Sequence, residues 1–591
     1  MRRVAGRLPR GRRRVVAVPD AHYRWVALSN TTLGMLMATI NSTIILISLP
    51  AIFRGIHINP LVPRETSVFL WLIMGYLVVT ATLVVTAGRI SDMLGRVRLY
   101  NLGFAVFTAG SILLFLTPGI GNTAALEMIG FRVIQAVGAA FLFANSVAIL
   151  TDAFPPEQRG LALGLNMVAA IAGSLIGLIL GGVLSAIDYH LVFLVSVPVG
   201  VGGTLWAYLA LRETATIAEG QRVDVLGNLT FAAGLILVLV GITYALLPYG
   251  SSTMGWGNPL VLAMLAGGAA LLVAFWWIET RVADPMFRLD LFRNRSFAAG
   301  NVSGLLASIS RGGLQFMLII WLQGIWLPLH GYAYTQTPLW SGIYMLPMMG
   351  GFLLCGPLAG FLSDRFGART FATGGMLLNV AAFLLLAALP ADFSYPAFAV
   401  ILLLMGIGMG LFAAPNATAI MNAVPARHRG VASGMRATFQ NSGMLISMGI
   451  FFTLVVTGLA VALPPALLRG LTAAGIPSAV ARGVSHLPPT AALFSAFLGY
   501  NPMAHLLPAA LVAHLSAPAR ARLLGREFFP RLISGAFMTG LHVAFYCGAV
   551  LSLVAAGASL LRGQRFVHAE GRASVGDGSP ALTAAGEPRG H

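Results

Sequence analysis

The chain has 591 residues, of which 57% are hydrophobic and 9% charged, and its mean hydropathy is +0.84. This composition excludes a soluble globular protein, because nearly uncharged runs long enough to cross about 30 Å of hydrocarbon recur from end to end. The formal charge of +18 does not predict nucleic-acid binding, since no basic module with interleaved aromatic residues follows the arginines near the start.

Apolar runs and charged turns, taken in chain order, predict an all-α polytopic membrane protein with about fourteen spans. Arginines concentrate in every second connection, which predicts that both termini lie in the cytoplasm. The two cysteines lie inside apolar runs, so neither a disulfide framework nor a metal site is expected. The predicted spans are 25–53, 68–88, 98–117, 124–150, 160–186, 190–211, 225–249, 258–279, 297–326, 338–362, 370–389, 396–421, 429–462 and 531–562.

An internal repeat relates the two ends of this series. The motif that begins at Gly88 returns in weaker form at Gly360, which gives an offset of 360 − 88 = 272 in the numbering. A second pair of matching segments begins at Arg159 and Arg429, with an offset of 429 − 159 = 270. The near-constant offset predicts two parallel six-helix bundles with a two-helix insert between them, a layout that places a transport site at the interface of the halves.

The repeat also sets the predicted boundaries of the parts. They are a basic cytoplasmic tail (1–24), an N-terminal six-helix bundle (25–212), an insert with its linkers (213–296), a C-terminal six-helix bundle (297–562) and a disordered cytoplasmic tail (563–591). The C-terminal bundle includes a long external loop, 463–530, whose mixture of Leu, Ala, Pro and Arg predicts short helices at the membrane interface.

Several segments carry a recognisable pattern: Trp71 and Tyr76 in helix 2, Gly88–Arg98 in the loop after it, Arg132–Gly138 in helix 4, Gly173–Gly182 in helix 5 and Phe193–Gly200 in helix 6. Together they resemble the major facilitator superfamily, specifically its fourteen-helix drug:proton antiporter branch. The resemblance implies a secondary active transporter of the bacterial inner membrane. It would export amphipathic, drug-like compounds by alternating access, driven by proton antiport and without a cofactor.

The expected partners are the lipid bilayer, a small amphipathic substrate and protons, and the chain is expected to be a monomer that binds no nucleic acid. Participation of a periplasmic adaptor stays open. The alternatives are a facilitator or exporter of one specific metabolite or lipid-like compound, and a transport-inactive sensor on the same fold. Neither an enzyme nor an ATP-driven pump is expected, because the loops hold no cluster of Asp, His or Cys and the chain holds no P-loop.

The motif after helix 2 and its copy are predicted to form the two halves of a cytoplasmic gate. Glycine lets another helix pass closely, and a carboxylate at the helix end can accept from arginine and from the N–H groups of a neighbouring helix. A solvated turn that serves only topology is the alternative, but topology requires positive charge rather than glycines. The predicted gate residues are Gly88, Arg89, Asp92, Gly95, Arg96, Gly360, Asp364, Arg365 and Gly367.

Arginines inside spans are the next candidates, because a charge in the membrane is costly unless it faces partners or water. Arg132 and Gln135 share a face of helix 4, although Arg132 could instead snorkel to the outer interface. Arg311 lies near the middle of helix 9 with Gln315 one turn later, too deep to snorkel. Buried arginines with few buried acids predict a preference for neutral or anionic substrates.

Helix 5 carries a stripe of small residues, Gly173, Gly177 and Gly181, followed by Gly182, which predicts a close helix contact. The antiporter pattern normally has proline after the second of these glycines, and Leu178 stands there. The packing role survives this departure, but the departure weakens the antiporter assignment, because the proline is part of the hinge that the resemblance implies.

The coupling acid is the least defined part of the pattern. Helix 1 carries Asn41 where the antiporter branch usually has an aspartate, and an asparagine cannot titrate. A proton carrier needs a buried carboxylate or histidine, and Glu127 in helix 4 is the remaining candidate. A carboxylate early in a helix also complements the helix dipole, so the coupling ion stays open.

Overall fold

A computed structural model of the chain describes residues 20–57, 63–155, 158–213, 224–250, 252–282, 285, 287–425, 429–499 and 501–562. The basic tail at the start and the tail after residue 562 are thus almost entirely outside the described residues. Within the described part, fourteen helices are long and apolar enough to cross a membrane, in agreement with the prediction. The protein is a multi-pass membrane protein.

The apolar composition of these segments favours membrane-spanning helices, and polar side chains cap the N-termini of several of them. Asp224, Asn258 and Asn294 each accept a backbone N–H of the first turn that follows, at 2.8, 3.0 and 2.9 Å respectively. The helices are α1 Asp20–Gly55, α2 Pro63–Leu94, α3 Arg96–Phe115, α4 Gly121–Ala153, α5 Arg159–Ile187, α6 Leu191–Leu194 with Ser196–Ala210, α7 Val225–Ala245, α8 Pro259–Glu279, α9 Arg295–Trp321 continuing through a π-helical turn to Leu329, α10 Thr337–Tyr344 with Leu346–Phe366, α11 Ala368–Ala387, α12 Tyr395–Asn422, α13 Arg429–Ala473 and α14 Phe528–Leu560.

The repeat is present at the level of single contacts. Gly103 of α3 faces the carbonyl of Gly138 in α4, and Gly375 of α11 faces the carbonyl of Gly408 in α12. Their offsets, 375 − 103 = 272 and 408 − 138 = 270, are the ones predicted from the sequence. The helix pairs α3–α4 and α11–α12 therefore cross at equivalent glycines.

The helix bundle has two ends, the termini side and the cap side. The termini side holds the start of α1, the loop between α2 and α3, and Arg562 after α14. The cap side holds residues 474–527, called the cap. Its short helices are Ser478–Ser485, Pro489–Phe497, Met503–Leu506, Ala509–His514 and Ala517–Leu524.

The cap begins later than predicted, because α13 continues to Ala473, past the predicted end at residue 462. The helix passes through Pro464 and Pro465, although proline usually breaks the interior of a helix. The reason is burial: Leu463, Leu467 and Leu471 are each 0% exposed along one face of this extension.

The cap packs into the protein instead of lying only on its surface. All nine residues of its helix Pro489–Phe497 are buried. Phe494 stacks on Phe452 of α13 at 5.6 Å between ring centroids, and Phe497 contacts Phe316 of α9 at 6.2 Å. Arg54, at the end of α1, donates to the carbonyl of Leu498 at 3.2 Å. The cap thus joins both halves on its side of the bundle.

Candidate functional site

The loop between α2 and α3 is fixed by a carboxylate that the sequence did not single out. Gly95 precedes α3 with φ 106° and ψ 129°, a conformation that strongly favours glycine. Glu213, just after α6, accepts the backbone N–H groups of Arg96, Val97 and Arg98 at 2.8, 3.0 and 3.4 Å. Its charge lies at the N-terminus of α3, where the helix dipole favours an anion.

Arg96 ties the same loop to α4. Its guanidinium lies 2.6 Å from the carboxylate of Asp152 near the end of α4, and both side chains are partly exposed. At the repeat offsets, Ala368 replaces the arginine (368 − 96 = 272), and neither Asn422 (422 − 152 = 270) nor Ala423 (423 − 152 = 271) supplies an acid in place of the aspartate. The bridge therefore belongs to the N-terminal half alone, and the second copy of the motif holds its loop without it.

Other residues of the predicted gate have the same local structure in both copies of the motif. Ser91 donates to the carbonyl of Gly88 at 2.6 Å, and Ser363 donates to that of Gly360 at 2.8 Å. Gly367 begins α11 with φ 87° and ψ 145°, as Gly95 begins α3. Arg89 is half-buried. Three predicted side chains lie outside the described part of the structure: those of Asp92, Asp364 and Arg365.

Arg132, Asn41 and Gln135 form one connected polar network in the N-terminal half. Arg132 is 2% exposed; its guanidinium donates to Asn41 of α1, and to Gln135 of its own helix at 2.6 Å. Gln135 donates onward to Ser111 of α3 at 2.8 Å. The guanidinium also lies over the ring of Tyr76 in α2, 4.3 Å from its centroid. The network joins four helices, and snorkelling of Arg132 is excluded.

Arg311 is in a different environment. It is the seventeenth of the 35 residues from Arg295 to Leu329 and is half-buried, as is Gln315 one turn later. Within the described residues, neither Arg311 nor the half-buried Arg436 of α13 has a hydrogen bond or an ion pair. The neighbouring Gly312 and Gly313 pack tightly on α13, where Cβ atoms would lie 2.7 Å from the carbonyl of Met444 and 2.6 Å from that of Ser447.

Glu127 lies on α4 apart from this network and is half-buried. Its Oε2 is buried and has no hydrogen-bond partner among the described residues. A buried carboxyl oxygen without a partner is costly, so the position is unusual for a purely structural residue.

The helix 5 glycines divide into two groups by their neighbours. Gly173, Gly177 and Gly181 face α1, where added Cβ atoms would lie 2.8, 2.7 and 2.9 Å from carbonyl oxygens of Leu36, Ile40 and Ile44. A Cβ at Gly182 would instead lie 2.4 Å from the Cα of Leu339 in α10, in the other half. Three glycines therefore join helices within one half, and the fourth joins the halves.

The halves meet at a seam on each side. The cap-side seam pairs α5 with α10, where Gly182 faces Leu339 and Gly342 faces the carbonyl of Leu178. The termini-side seam pairs α2 with α13: Thr438 donates to the carbonyl of Ala81 at 3.5 Å, and Gly434 faces Val85. Both seams use small residues.

A family-level match agrees with this two-half architecture. Residues 31–448 match the model of the Major Facilitator Superfamily, well over half of the chain. The chain belongs to the Major Facilitator Superfamily.

Curated members of the superfamily align over most of this chain at low identity. The tetracenomycin C resistance and export protein of Streptomyces glaucescens is 25% identical over 91% of this chain and 91% of its own. The multidrug resistance protein Stp of Mycobacterium tuberculosis is 28% identical over 76% and 78% of the two chains. The riboflavin transporter RibZ of Clostridioides difficile is 27% identical over 72% and 87%.

Solved structures of the superfamily share the fold. A bacterial homologue of the human lysosomal transporter Spinster matches with a TM-score of 0.52 at 17% identity, over 93% of this chain and 99% of that one. The proton:xylose symporter XylE matches with a TM-score of 0.53 at 13% identity, over 81% and 96%. At this identity the likeness concerns the fold alone.

Three polar residues of this superfamily member escaped sequence reasoning: Glu213, Asp152 and Arg562. The two carboxylates could have been found from the sequence, because the chain has only 19 acidic residues and both stand at the end of a span.

Arg562 follows α14, is 4% exposed and donates to Ser303 of α9 at 2.8 Å and to Asn416 of α12. Burial lowers the pKa of its guanidinium to about 10.

Proposed function

We propose that this member of the superfamily is a secondary active transporter of the bacterial plasma membrane that exports amphipathic organic compounds by alternating access. The observation that carries the proposal is the pair of small-residue seams, one on each side of the bundle. Two rigid halves that touch at both sides can open one seam while the other stays closed. The polar side chains of Asn41, Arg132, Arg311 and Gln315 lie deep in the spans between the two sides.

The direction and substrate class draw support from the relatives. The tetracenomycin C protein and the Stp protein are named for resistance or export, and the first aligns along nine-tenths of this chain. In this proposal the protein is a monomer with both termini in the cytoplasm, so that the termini-side seam opens to the cell interior. The participants are lipid, substrate and protons, with no cofactor.

Proton antiport is part of the proposal, and Glu127 is its coupling acid. Supporting this role, Asn41 cannot titrate, and Glu127 is the one Asp or Glu of the sequence that lies inside a predicted span of the N-terminal bundle. Its unpartnered carboxyl oxygen has a free site for a proton or for a donor on the substrate. Glu127→Gln should abolish stimulation of transport by a pH gradient, whereas Glu127→Asp should retain part of it.

A second candidate is an exporter or facilitator of one specific metabolite. The relative that is named a riboflavin transporter favours this candidate. So does Asn41, because it stands where the antiporter branch usually has an aspartate that could carry a proton. A transport-inactive sensor on the same fold is the third candidate, and only a transport measurement separates it from the other two.

The deciding experiment is uptake of a panel of amphipathic compounds into inverted membrane vesicles that contain the full chain, with and without an imposed pH gradient. The proposed function predicts uptake of several unrelated compounds, accelerated by the gradient. Uptake of a single compound would support the specific transporter, and uptake independent of the gradient would remove the antiport. Absence of uptake of any compound would support the sensor.

A further inference from the structure

The two membrane arginines whose surroundings differ most are Arg132 and Arg311. Arg132 is closed off: one terminal nitrogen donates to two neutral acceptors and the guanidinium lies over an aromatic ring, although its buried Nε has no partner among the described residues. Arg311 is equally deep in its helix, yet among the described residues no acceptor reaches its guanidinium. Arg132 is thus tied to neighbouring side chains within the protein, whereas the guanidinium of Arg311 makes no hydrogen bond to the described residues.

No acidic residue of the C-terminal bundle lies in the sequence at the depth of Arg311. In the sequence of the C-terminal bundle, the acidic residues are Asp364 at the end of α10, Asp392 between α11 and α12, and Glu527 before α14. All three lie at span ends, whereas Arg311 lies at mid-span. A guanidinium at that depth is costly unless water or an anion meets it.

The backbone around Arg311 is held in place, so its side chain projects from a defined point. The N–H of Gly313 donates to the hydroxyl of Ser447 in α13 at 2.7 Å. On the opposite side, the hydroxyl of Ser310 lies 2.7 Å from that of Ser552 in α14. α9 is thus fastened to two neighbours within one turn of the unpaired cation.

We propose that Arg311 binds an anionic group of the transported compound, a carboxylate, a phosphate or an ionised phenol. Gln315, one helical turn away on the same face, supplies a second donor. Arg436 on α13, also without a partner among the described residues, adds positive potential nearer the termini side. The substrate class is therefore an amphipathic organic anion, and this inference rests on the proposed export function.

Charge recognition of this kind also affects the energetics of export. An anion that leaves a cell with a negative interior moves in the direction that the membrane potential favours. For one negative charge, a potential of 100 mV can sustain a ratio of outside to inside concentration of about 50. The membrane potential would then drive export even in the absence of a pH gradient.

The test compares uptake of three pyrene-butyl probes of similar size into phosphatidylcholine proteoliposomes of the full chain: the carboxylate pyrenebutyrate, its neutral amide and the trimethylammonium analogue. The native chain should take up the carboxylate about tenfold faster than the amide, as expected for a hydrogen bond to a charged group. Arg311→Gln should remove this preference and still transport the amide, while Arg311→Lys should retain most of it. Arg469→Gln, at an exposed position of α13, removes the same charge and should change nothing.

Retention of the carboxylate preference in Arg311→Gln, or uptake of the amide without any preference in the native chain, would overturn the anion site and leave the export function intact. Absence of uptake of all three probes would overturn the export function and this inference with it. Loss of the preference when anionic phosphatidylglycerol is added would assign Arg311 to a lipid headgroup instead of the substrate.

Discussion

Gly95 and Gly367, which are related by the repeat (367 − 95 = 272), begin equivalent helices in the same backbone conformation, with φ of 106° and 87°. The repeat therefore preserves an unusual local geometry as well as a sequence pattern. The environments differ: a Cβ at Gly95 would lie 2.6 Å from Oε2 of Glu213, whereas a Cβ at Gly367 would meet nothing within 4 Å among the described residues. The two glycines form a natural matched pair for mutation.

Replacing Gly95 by alanine should destabilise the protein more than replacing Gly367. Both changes force a side chain into a strained conformation, at a cost of about 1–3 kcal/mol. Gly95→Ala also displaces the carboxylate that caps α3, which adds about 0.5–2 kcal/mol. The measurement is the unfolding temperature of the purified protein in detergent. Equal losses at the two positions would contradict the capping role of Glu213.

Glu213→Ala should lower the unfolding temperature by itself, because three N–H groups at the start of α3 lose their acceptor. Combined with Gly95→Ala, it should cost less than the sum of the two single changes, since both remove the same cap. Glu527→Ala removes a carboxylate that pairs with Arg531 on the surface, and serves as the control. Strict additivity of the double variant would argue against a shared contact.

The sequence was sufficient to predict the helices, the repeat and most positions of interest, because these depend on apolar length and on a constant offset. Pairwise chemistry was harder to predict. The position of Glu213 at the end of a span marks it as a candidate, but its contact lies 117 residues away in the sequence, so the partner could not be predicted. The continuation of α13 through Pro464 and Pro465 was likewise set by burial of its leucines, a tertiary effect that overrides the local preference of proline.

Asn41 is expected to be needed as a neutral acceptor for Arg132. Asn41→Leu leaves an N–H of a buried guanidinium unpaired, at a cost of about 1.5–3 kcal/mol, and should lower both the unfolding temperature and transport. Asn41→Asp keeps an acceptor and should fold. Asn145→Leu is the matched control, because that buried amide donates to the carbonyl of Phe141 within its own helix. A larger loss in the control would locate the sensitivity in burial rather than in the arginine network.

Substitution of glycine on α5 should be harmful within the stripe of small residues and harmless outside it. Gly177→Ala places a methyl group 2.7 Å from the carbonyl of Ile40 and must push α1 away, whereas Gly164→Ala on the same helix meets nothing within 4 Å among the described residues. We expect Gly177→Ala to reduce the amount of folded protein in the membrane and Gly164→Ala to leave it unchanged. Size-exclusion profiles of the two variants, solubilised in parallel, measure the difference. Similar profiles would show that the α1–α5 contact has room to adapt.

Gly182 should control the equilibrium between conformations, because it is the α5 glycine that faces the opposite half. A side chain there would meet the backbone of Leu339, and backbone cannot rotate out of the way as a side chain can. The N-terminal half can fold without this contact, so Gly182→Leu should yield a folded protein whose cap-side seam cannot close. A ligand or variant shifts such an equilibrium only by its differential effect on the two states, and here the closed state alone is penalised.

Distances between spin labels at Asp188 and Asp392, two exposed positions on the cap side, report this shift in a chain whose Cys355 and Cys547 are replaced by serine. Gly182→Leu should move the distance distribution to longer values, while Gly164→Leu should leave it as in the native sequence. Transport by Gly182→Leu should fall with substrate binding retained, because the cycle stops with one side open. An unchanged distribution would mean that the halves do not separate along α5 and α10, and that alternating access in this protein uses another seam.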